Sequence, residues 1–222
     1  MGNECLFCEL QKEDNKYKGR VSATMLYRDD DFYIKPGKGA LIPGYLMIVP
    51  NEHILSSANL SKGKQIKLFK LLGRMKGILE DAFSKPVMYF ESGTPDGGTK
   101  FSNSIIHAHI HSAPIDISEE NDLEMKQKMF LEPFDYRNQL SELAHKGYSL
   151  LIDSKDNGFA ATSLERPRQV FRKIIAKQIG NEDAWNWRED ENRLEEHMIH
   201  TVEVLQPRLA ELNKANFYLE AR

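Results

Sequence analysis

Three histidines at alternate positions form the part of the chain whose residue types most clearly indicate chemistry. Residues 107–111 read His-Ala-His-Ile-His and directly follow two isoleucines. In an extended strand successive side chains point to opposite faces, so a strand over about 104–113 would place His107, His109 and His111 on one face. Neutral imidazole is both a nucleophile and a common metal ligand. The spacing therefore indicates an active site, a metal site or both.

The two cysteines of the chain form a second candidate cluster. Cys5 and Cys8 have Cys-x-x-Cys spacing, which in a reducing compartment indicates a metal clip or a redox pair. A redox pair of the thioredoxin type would follow a strand and begin a helix, whereas this pair precedes every predicted strand. The position favours half of a zinc site over a redox pair.

The elements that must position these residues are predicted from hydrophobic patterning. Apolar residues at helical spacing predict a long helix over 61–83, and a turn-rich loop over 92–99 precedes the histidines. The predicted strands are 22–27, 31–35, 45–50, 86–90, 148–152 and 159–163. After Pro114 the chain becomes charged, with scattered apolar anchors. We therefore predict an α+β domain over 1–114, followed by a mostly helical C-terminal extension over 115–222.

Composition excludes several classes of protein. The 222 residues are 41% hydrophobic and 28% charged, which is typical of a globular protein and not of a disordered one. The net charge of −3 gives no sign of general nucleic-acid binding. No apolar run approaches the length of a membrane span, and the first residues lack the apolar stretch of a secretory signal. We expect a cytoplasmic protein with no membrane partner.

The order of these motifs resembles that of the histidine triad (HIT) superfamily. Over residues 5–114 the chain has the Cys-x-x-Cys, a strand that leads into Val-Pro-Asn-Glu-His at 49–53, a long helix, a Gly-rich loop and His-x-His-x-His. The resemblance implies an antiparallel sheet with packed helices, commonly in a homodimer. It also implies a nucleotide substrate, because members act on the α-phosphate of nucleoside phosphates and dinucleoside polyphosphates.

The resemblance also implies roles for individual residues. It makes His109 the nucleophile that forms a covalent nucleotidyl intermediate, and it places His111 at the phosphate oxygens or the leaving group. The hydroxyl of Ser104 would contact phosphate or the scissile oxygen. An amide at the usual Gln position and a turn with exposed backbone N–H groups would bind substrate. These substrate-binding candidates are Asn103, Gly97 and Gly98.

A structural zinc site follows from the same resemblance. In zinc-containing members the first histidine of the triad joins a Cys-x-x-Cys and a histidine that follows the earlier strand. Here the set would be Cys5, Cys8, His53 and His107. Four protein ligands leave no open coordination position, which is typical of a structural zinc ion. The alternative is a free cysteine pair, with His53 at the end of its strand.

The third histidine bears on the type of reaction. Transferase branches resemble His-x-His-x-Gln, so His111 favours hydrolysis over transfer. Three alternatives remain open. The first is nucleotidyl transfer or phosphoramidate cleavage in the same fold. The second is a non-catalytic nucleotide-binding module, and the third is a metallohydrolase whose triad itself binds a catalytic metal.

Some residues depart from the pattern of the superfamily. Glu91 stands where Asn is usual, and a carboxylate near phosphate is unfavourable unless it is neutralised or turned away. The segment from Lys35 to Lys38 replaces an acidic residue that binds ribose hydroxyls. Arg166, Arg168 and Arg172 could hold a phosphate at a helix start if the extension folds over the active site, although a surface patch is the more frequent explanation. These departures leave base and sugar specificity open.

Overall fold

The computed structural model describes residues 5–95, 105–162, 169–187 and 194–220, with side chains described as far as residue 210. Within these ranges, eight strands form one antiparallel sheet. They are β1 (Tyr27–Arg28), β2 (Phe32–Pro36), β3 (Leu46–Pro50), β4 (Val87–Gly93), β5 (Ile110–Pro114), β6 (Glu132–Pro133), β7 (Tyr148–Ile152) and β8 (Gly158–Thr162). Their order across the sheet is β1-β2-β3-β5-β4-β7-β8-β6.

Helices cover both faces of this sheet. They are α1 (Leu6–Glu9), α2 (Lys62–Phe83), α3 (Glu119–Lys128), α4 (Tyr136–Gln139), α5 (Val170–Gln178) and α6 (Glu195–Glu220). The helix predicted over 61–83 is confirmed as α2. It begins where the Ser61 hydroxyl accepts a hydrogen bond from the backbone N–H of Lys64, and it ends at Ser84 in the left-handed conformation. Among the described helices, none is both long and apolar enough to cross a bilayer.

Two hydrophobic cores lie on opposite faces of the sheet. Alternate residues of β4 face opposite cores, so Tyr89 packs on the α2 side and Phe90 packs on the side of α3 and α5. Burial on both faces explains why β3 is a continuous apolar run rather than an alternating one. The predicted α+β class, with an antiparallel sheet, packed helices and a helical C-terminal region, is confirmed.

The sheet continues past residue 114, where we expected the first domain to end. Strand β4 pairs with β7 from Tyr89 opposite Ile152 to Gly93 opposite Tyr148. Without β7, β4 would be an edge strand with a row of unpaired backbone groups. The second half of the chain therefore supplies strands β6, β7 and β8 in addition to helices.

The histidine segment is only partly a strand, which corrects the strand predicted over 104–113. The extended ladder of β5 begins at Ile110, after His107 and His109. Before it, the backbone N–H of Ala108 donates to the carbonyl of Ile54 at 2.7 Å, in the loop that follows β3. The ladder starts late because this segment pairs with a loop, and the three imidazoles consequently do not share one environment.

Candidate catalytic and metal-binding site

The cysteine pair lies directly against the histidine segment. Cys5 caps α1 and Cys8 lies within it, so one helical turn places both thiols on the same side. The Cys5 Sγ lies 3.4 Å from His107 Nδ1, and the Cys8 Sγ lies 3.3 Å from His53 Nδ1 and 3.7 Å from His107 Nδ1. The ligand atoms of these four residues all lie within 4.8 Å of one another.

These distances fit a tetrahedral metal ion. Zinc bonds of about 2.3 Å to sulfur and about 2.0 Å to nitrogen place the ligand atoms roughly 3.5–3.8 Å apart in a tetrahedron. The separations of 3.3, 3.4 and 3.7 Å lie close to that range. Burial, followed by the charge of the Cys5 thiolate, raises the pKa of Cys8 to about 11. Because this shift disfavours a second thiolate beside the first, a cation between the two sulfur atoms would stabilise both. The donor set therefore suits a soft divalent ion.

The hydrogen bonding of His107 leaves its ligand nitrogen available. Its Nε2 lies 2.9 Å from the carbonyl oxygen of Pro50, and because a carbonyl only accepts, Nε2 carries the proton. The lone pair is then on Nδ1, the atom that faces the thiols. Such a bond to the far nitrogen is the usual way in which a metal-binding histidine is oriented. Burial lowers the pKa of His107 to about 4, so the ring is neutral.

The same reasoning identifies the free nitrogen of His109. Its Nδ1 lies 2.8 Å from the carbonyl oxygen of His107 and must donate to it. Nε2 therefore carries the lone pair, as a nucleophile requires. Burial lowers the pKa of His109, with a smaller contribution from the charge of Lys35. Phe7 of α1 contacts the rings of both His107 and His109, at centroid distances of 5.6 and 5.3 Å, and holds them in place.

His111 is held between two aromatic rings. Its ring stacks on Phe90 at a centroid distance of 4.8 Å, and its Nδ1 lies 3.0 Å from the hydroxyl of Tyr45. Burial raises the pKa of Tyr45, which keeps the hydroxyl protonated and able to donate. Burial, the charge of His109 and then that of Arg172 lower the pKa of His111 well below its usual value. His111 is thus a neutral ring whose Nε2–H can donate to a ligand.

His109 and His111 lie on the wall of a large cavity. His107 is not among the lining residues and is 1% exposed. The empty space amounts to about 1160 Å³, a value that includes open solvent at the mouth of the cavity. The wall combines apolar residues of α1, β3 and β4 with the start of α5. The second half of the chain therefore closes the cavity from the side opposite α1.

The charge of the cavity wall has one sign. Its lining includes four cations, Arg20, Lys35, Lys38 and Arg172, and no Asp or Glu among the residues that the structure describes. A pocket walled by cations concentrates anionic ligands. The sequence analysis named Lys35 and Lys38 only as occupants of a lost acidic position. For Arg172 a surface patch was the more frequent explanation and a phosphate site was the alternative if the extension folds over the active site; Arg172 is 4% exposed and lies in the cavity wall.

Glu91 points away from this cavity. Its carboxylate accepts hydrogen bonds from the Ser57 backbone N–H at 2.9 Å and from the Tyr148 hydroxyl at 2.5 Å, on the α2 side of the sheet. The neighbouring residues Phe90 and Ser92 are the ones that line the cavity. The acidic side chain that departs from the superfamily pattern is therefore held by hydrogen bonds on the α2 side of the sheet and does not face the cavity.

Several predicted residues lie outside the described ranges. These are Ser104, Asn103, Gly97 and Gly98 near the histidines, and Arg166 and Arg168 before α5. Of the predicted site, the structure brings together Cys5, Cys8, His53 and His107 in one cluster, and it places His109 and His111 on the cavity wall. Sequence reasoning missed Tyr45 and Phe7, for which no local motif exists because each acts through a tertiary contact.

Comparison with solved structures finds histidine triad proteins among the similar folds. A hypothetical histidine triad nucleotide-binding protein from Sulfolobus tokodaii has 17% identity and a TM-score of 0.41, over 52% of this chain and 71% of that chain. A HIT family protein from Bacillus subtilis has 16% identity and a TM-score of 0.40, over 50% and 73%. A HIT family hydrolase from Clostridium thermocellum has 19% identity and a TM-score of 0.38, over 53% and 96%. The sequence matches no protein-family model and no curated protein.

Proposed function

We propose that the chain is a histidine triad nucleotide hydrolase that works through a covalent nucleotidyl-His109 intermediate. The observation that carries the proposal is the pair His109 and His111 on the wall of a cavity lined by cations. The bond from His109 Nδ1 to a carbonyl leaves a nucleophilic Nε2, and the cavity accommodates an anionic ligand.

The reaction then has two displacement steps at phosphorus. In the first, His109 Nε2 forms a bond to the α-phosphorus while the bond to the leaving phosphate or amine breaks. In the second, water attacks the same phosphorus, the P–N bond breaks, and its electron pair returns to Nε2. The proton of the water passes to solvent. The Nε2–H of His111 donates to a non-bridging oxygen throughout, which stabilises charge that develops there.

The metal in this proposal is a structural zinc ion held by Cys5, Cys8, His53 and His107. Bound there, it would tie α1 to the segment that carries His109 and would supply no open coordination position. A catalytic metal on the triad is less well supported, because the one metal-capable group among the described residues includes His107 and neither of the other two triad histidines. Cytoplasmic location and a homodimer remain predictions, and analytical ultracentrifugation would test the second.

Trapping the adduct tests the mechanism. The full chain would be mixed with adenosine and uridine 5′-phosphoramidates and with dinucleoside tetraphosphates, quenched at alkaline pH and analysed by intact mass. We expect one nucleotidyl group on His109. The His109→Asn variant should lose turnover by at least about a thousandfold. His145→Asn is the matched control, because this exposed histidine already has a left-handed backbone that Asn tolerates.

The outcome also separates the alternatives. Turnover of all these compounds by His109→Asn at the wild-type rate would contradict the mechanism. Tight binding without turnover would favour a nucleotide-binding module. Transfer of the nucleotidyl group to an added phosphate or alcohol acceptor faster than to water would favour a transferase, and selective cleavage of the phosphoramidates would favour a phosphoramidase.

A further inference from the structure

Two buried cations in the cavity wall have no role in the chemistry proposed for His109. Lys35 on β2 is 3% exposed and Arg172 on α5 is 4% exposed, yet both line the cavity. Removing a charge from water is costly unless an opposite charge or a set of hydrogen bonds compensates for it. The two residues lie far apart in the sequence, in different halves of the chain, and the tertiary structure brings both to the same cavity.

Neither cation has an acidic partner within the described residues. The Lys35 ammonium donates to the carbonyl of Pro36 at 2.6 Å and forms no salt bridge there. Arg172 donates from Nε to the carbonyl of Trp185 at 2.9 Å and from Nη2 to the carbonyl of Gly39 at 2.8 Å. These neutral carbonyls orient the two side chains, and no acidic side chain in the described part of the chain pairs with either of them.

The register of the sheet fixes where Lys35 stands relative to the reacting histidines. Lys35 lies opposite Met47, and Met47 lies opposite His111, so all three belong to one row across β2, β3 and β5. Neighbouring strands are about 4.8 Å apart, which separates the Lys35 and His111 backbones by roughly 10 Å. Both side chains line the same cavity. Lys35 therefore lies in the same cavity as His111, with the width of β3 between their two strands.

Arg172 borders the same space from the other side. Its guanidinium lies 5.6 Å from the centroid of the Tyr45 ring, and the Tyr45 hydroxyl contacts His111. Lys35, Arg172 and His111 all line the cavity, and the charges of Lys35 and Arg172 contribute to the lowered pKa of His111. A planar guanidinium and an ammonium together form a typical binding site for phosphate.

We infer that Lys35 and Arg172 form a second anion subsite, which binds a phosphate group of the substrate remote from the one attacked by His109. This inference rests on the proposed function and specifies its substrate class. The substrate is a nucleotide with an additional phosphate across the sugar, as in a 3′,5′-bisphosphate, rather than one whose extra phosphate is adjacent in the chain. Lys35 and Arg172 are specificity-determining residues and take no part in bond breaking.

Isothermal titration of the full chain with three ligands tests the inference. The ligands are the 5′-monophosphate, the 5′-diphosphate and the 3′,5′-bisphosphate, each in an adenosine and a uridine series at fixed ionic strength. We expect the bisphosphate to bind about tenfold or more tightly than the monophosphate. Lys35→Gln and Arg172→Gln should each abolish that gain and leave monophosphate affinity within about threefold. Arg172→Lys should restore part of it.

Lys70→Gln is the matched control, because Lys70 is exposed on α2 and is not among the described residues that line the cavity. We expect this variant to keep the gain for the bisphosphate. The inference is overturned if the bisphosphate binds no more tightly than the monophosphate, if only the diphosphate gains affinity, if the gain survives both buried-cation variants, or if none of the ligands binds. Thermal unfolding of each variant verifies that it is folded.

The two proposals fail separately. If a nucleotidyl-His109 adduct forms but the bisphosphate gains no affinity, the hydrolase proposal stands and the second subsite is wrong. If the bisphosphate gains affinity through Lys35 and Arg172 but no adduct forms with any nucleotide, the subsite stands and the hydrolase proposal is wrong.

Discussion

At the scale of residues, the three histidines differ because their hydrogen bonds differ. His107 and His109 each donate to a backbone carbonyl, but from opposite ring nitrogens. The lone pair of His107 consequently faces the thiols, and that of His109 is left on Nε2. His111 accepts from a tyrosine and keeps an N–H for the cavity. One residue type thus presents a lone pair that faces the thiols, a lone pair on Nε2 and an N–H donor.

Lys35 provides a prediction about stability at this scale. Burial, and then the charge of Lys38, lowers the pKa of Lys35 from 10.5 to about 7 in the folded chain. The folded state therefore loses stability as the pH falls from about 10.5 towards 7, and the loss is complete below 7. We expect Lys35→Met to raise the free energy of unfolding at pH 7 by about 1–3 kcal/mol, and by less at pH 9.

Urea denaturation at the two pH values measures this effect. Lys70→Met on the exposed face of α2 is the matched control and should change stability by less than about 0.5 kcal/mol. Equal or lower stability of Lys35→Met at both pH values would contradict the prediction. If Lys35→Met is more stable but binds the bisphosphate poorly, the wild-type lysine lowers stability in return for ligand binding.

At the scale of elements, α1 is too short to be stable by itself. Its four residues form a single turn, which is unstable in water without tertiary contacts. Those contacts are the burial of Phe7 against two histidine rings and the approach of the thiols to His53 and His107. The contacts with these histidines therefore position α1, and α1 in turn forms part of the cavity wall.

Removal of a thiol tests this coupling. We expect Cys8→Ser to lose one tightly held zinc ion per chain and to unfold at a lower temperature, because a structural zinc ion contributes binding energy on the order of 10 kcal/mol to folding. Metal analysis and thermal unfolding measure the two effects. Chelation of the wild-type chain should lower the unfolding temperature in the same direction. A chain purified without zinc and indifferent to added zinc would contradict the prediction.

At the scale of the whole molecule, the two halves of the chain share one sheet and one cavity. Strand β7 covers the edge of β4, and the Tyr148 hydroxyl of β7 satisfies the buried carboxylate of Glu91. Helix α5 supplies Phe171, which stacks on Phe90 at a centroid distance of 4.7 Å, and Arg172. The first half therefore depends on the second for its core and for part of its site.

Truncation tests this dependence. A chain that ends at residue 114 would expose the β4 edge and remove the Tyr148 hydroxyl that donates to the buried Glu91 carboxylate. We expect the fragment 1–114 to be aggregated or unfolded, as judged by gel filtration and by amide chemical-shift dispersion. The full chain is the control. A monomeric, cooperatively unfolding fragment would show that the second half is dispensable for folding.

The sequence by itself determined the features that depend on local spacing. Hydrophobic periodicity predicted α2 and the central strands, because burial repeats at 3.6 residues in a helix and is continuous in a strand covered on both faces. The Cys-x-x-Cys and the alternate histidines indicated a metal site or an active site, and the resemblance to the histidine triad superfamily implied which residues would belong to each. Each of these signals lies within a few consecutive residues.

Only the tertiary structure decided where β5 begins, which aromatic rings hold the histidines, and which charges line the cavity. Glu91 and Arg172 show the reason. The position of Glu91 in the sequence suggested a carboxylate near the phosphate, yet the alternation of side chains along β4 directs it to the core on the α2 side. Arg172 fitted a surface patch in the sequence, yet α5 places it beside the Tyr45 ring and the carbonyl of Gly39. The direction of a side chain in a sheet and the partner of a helix depend on distant contacts, which local sequence does not encode.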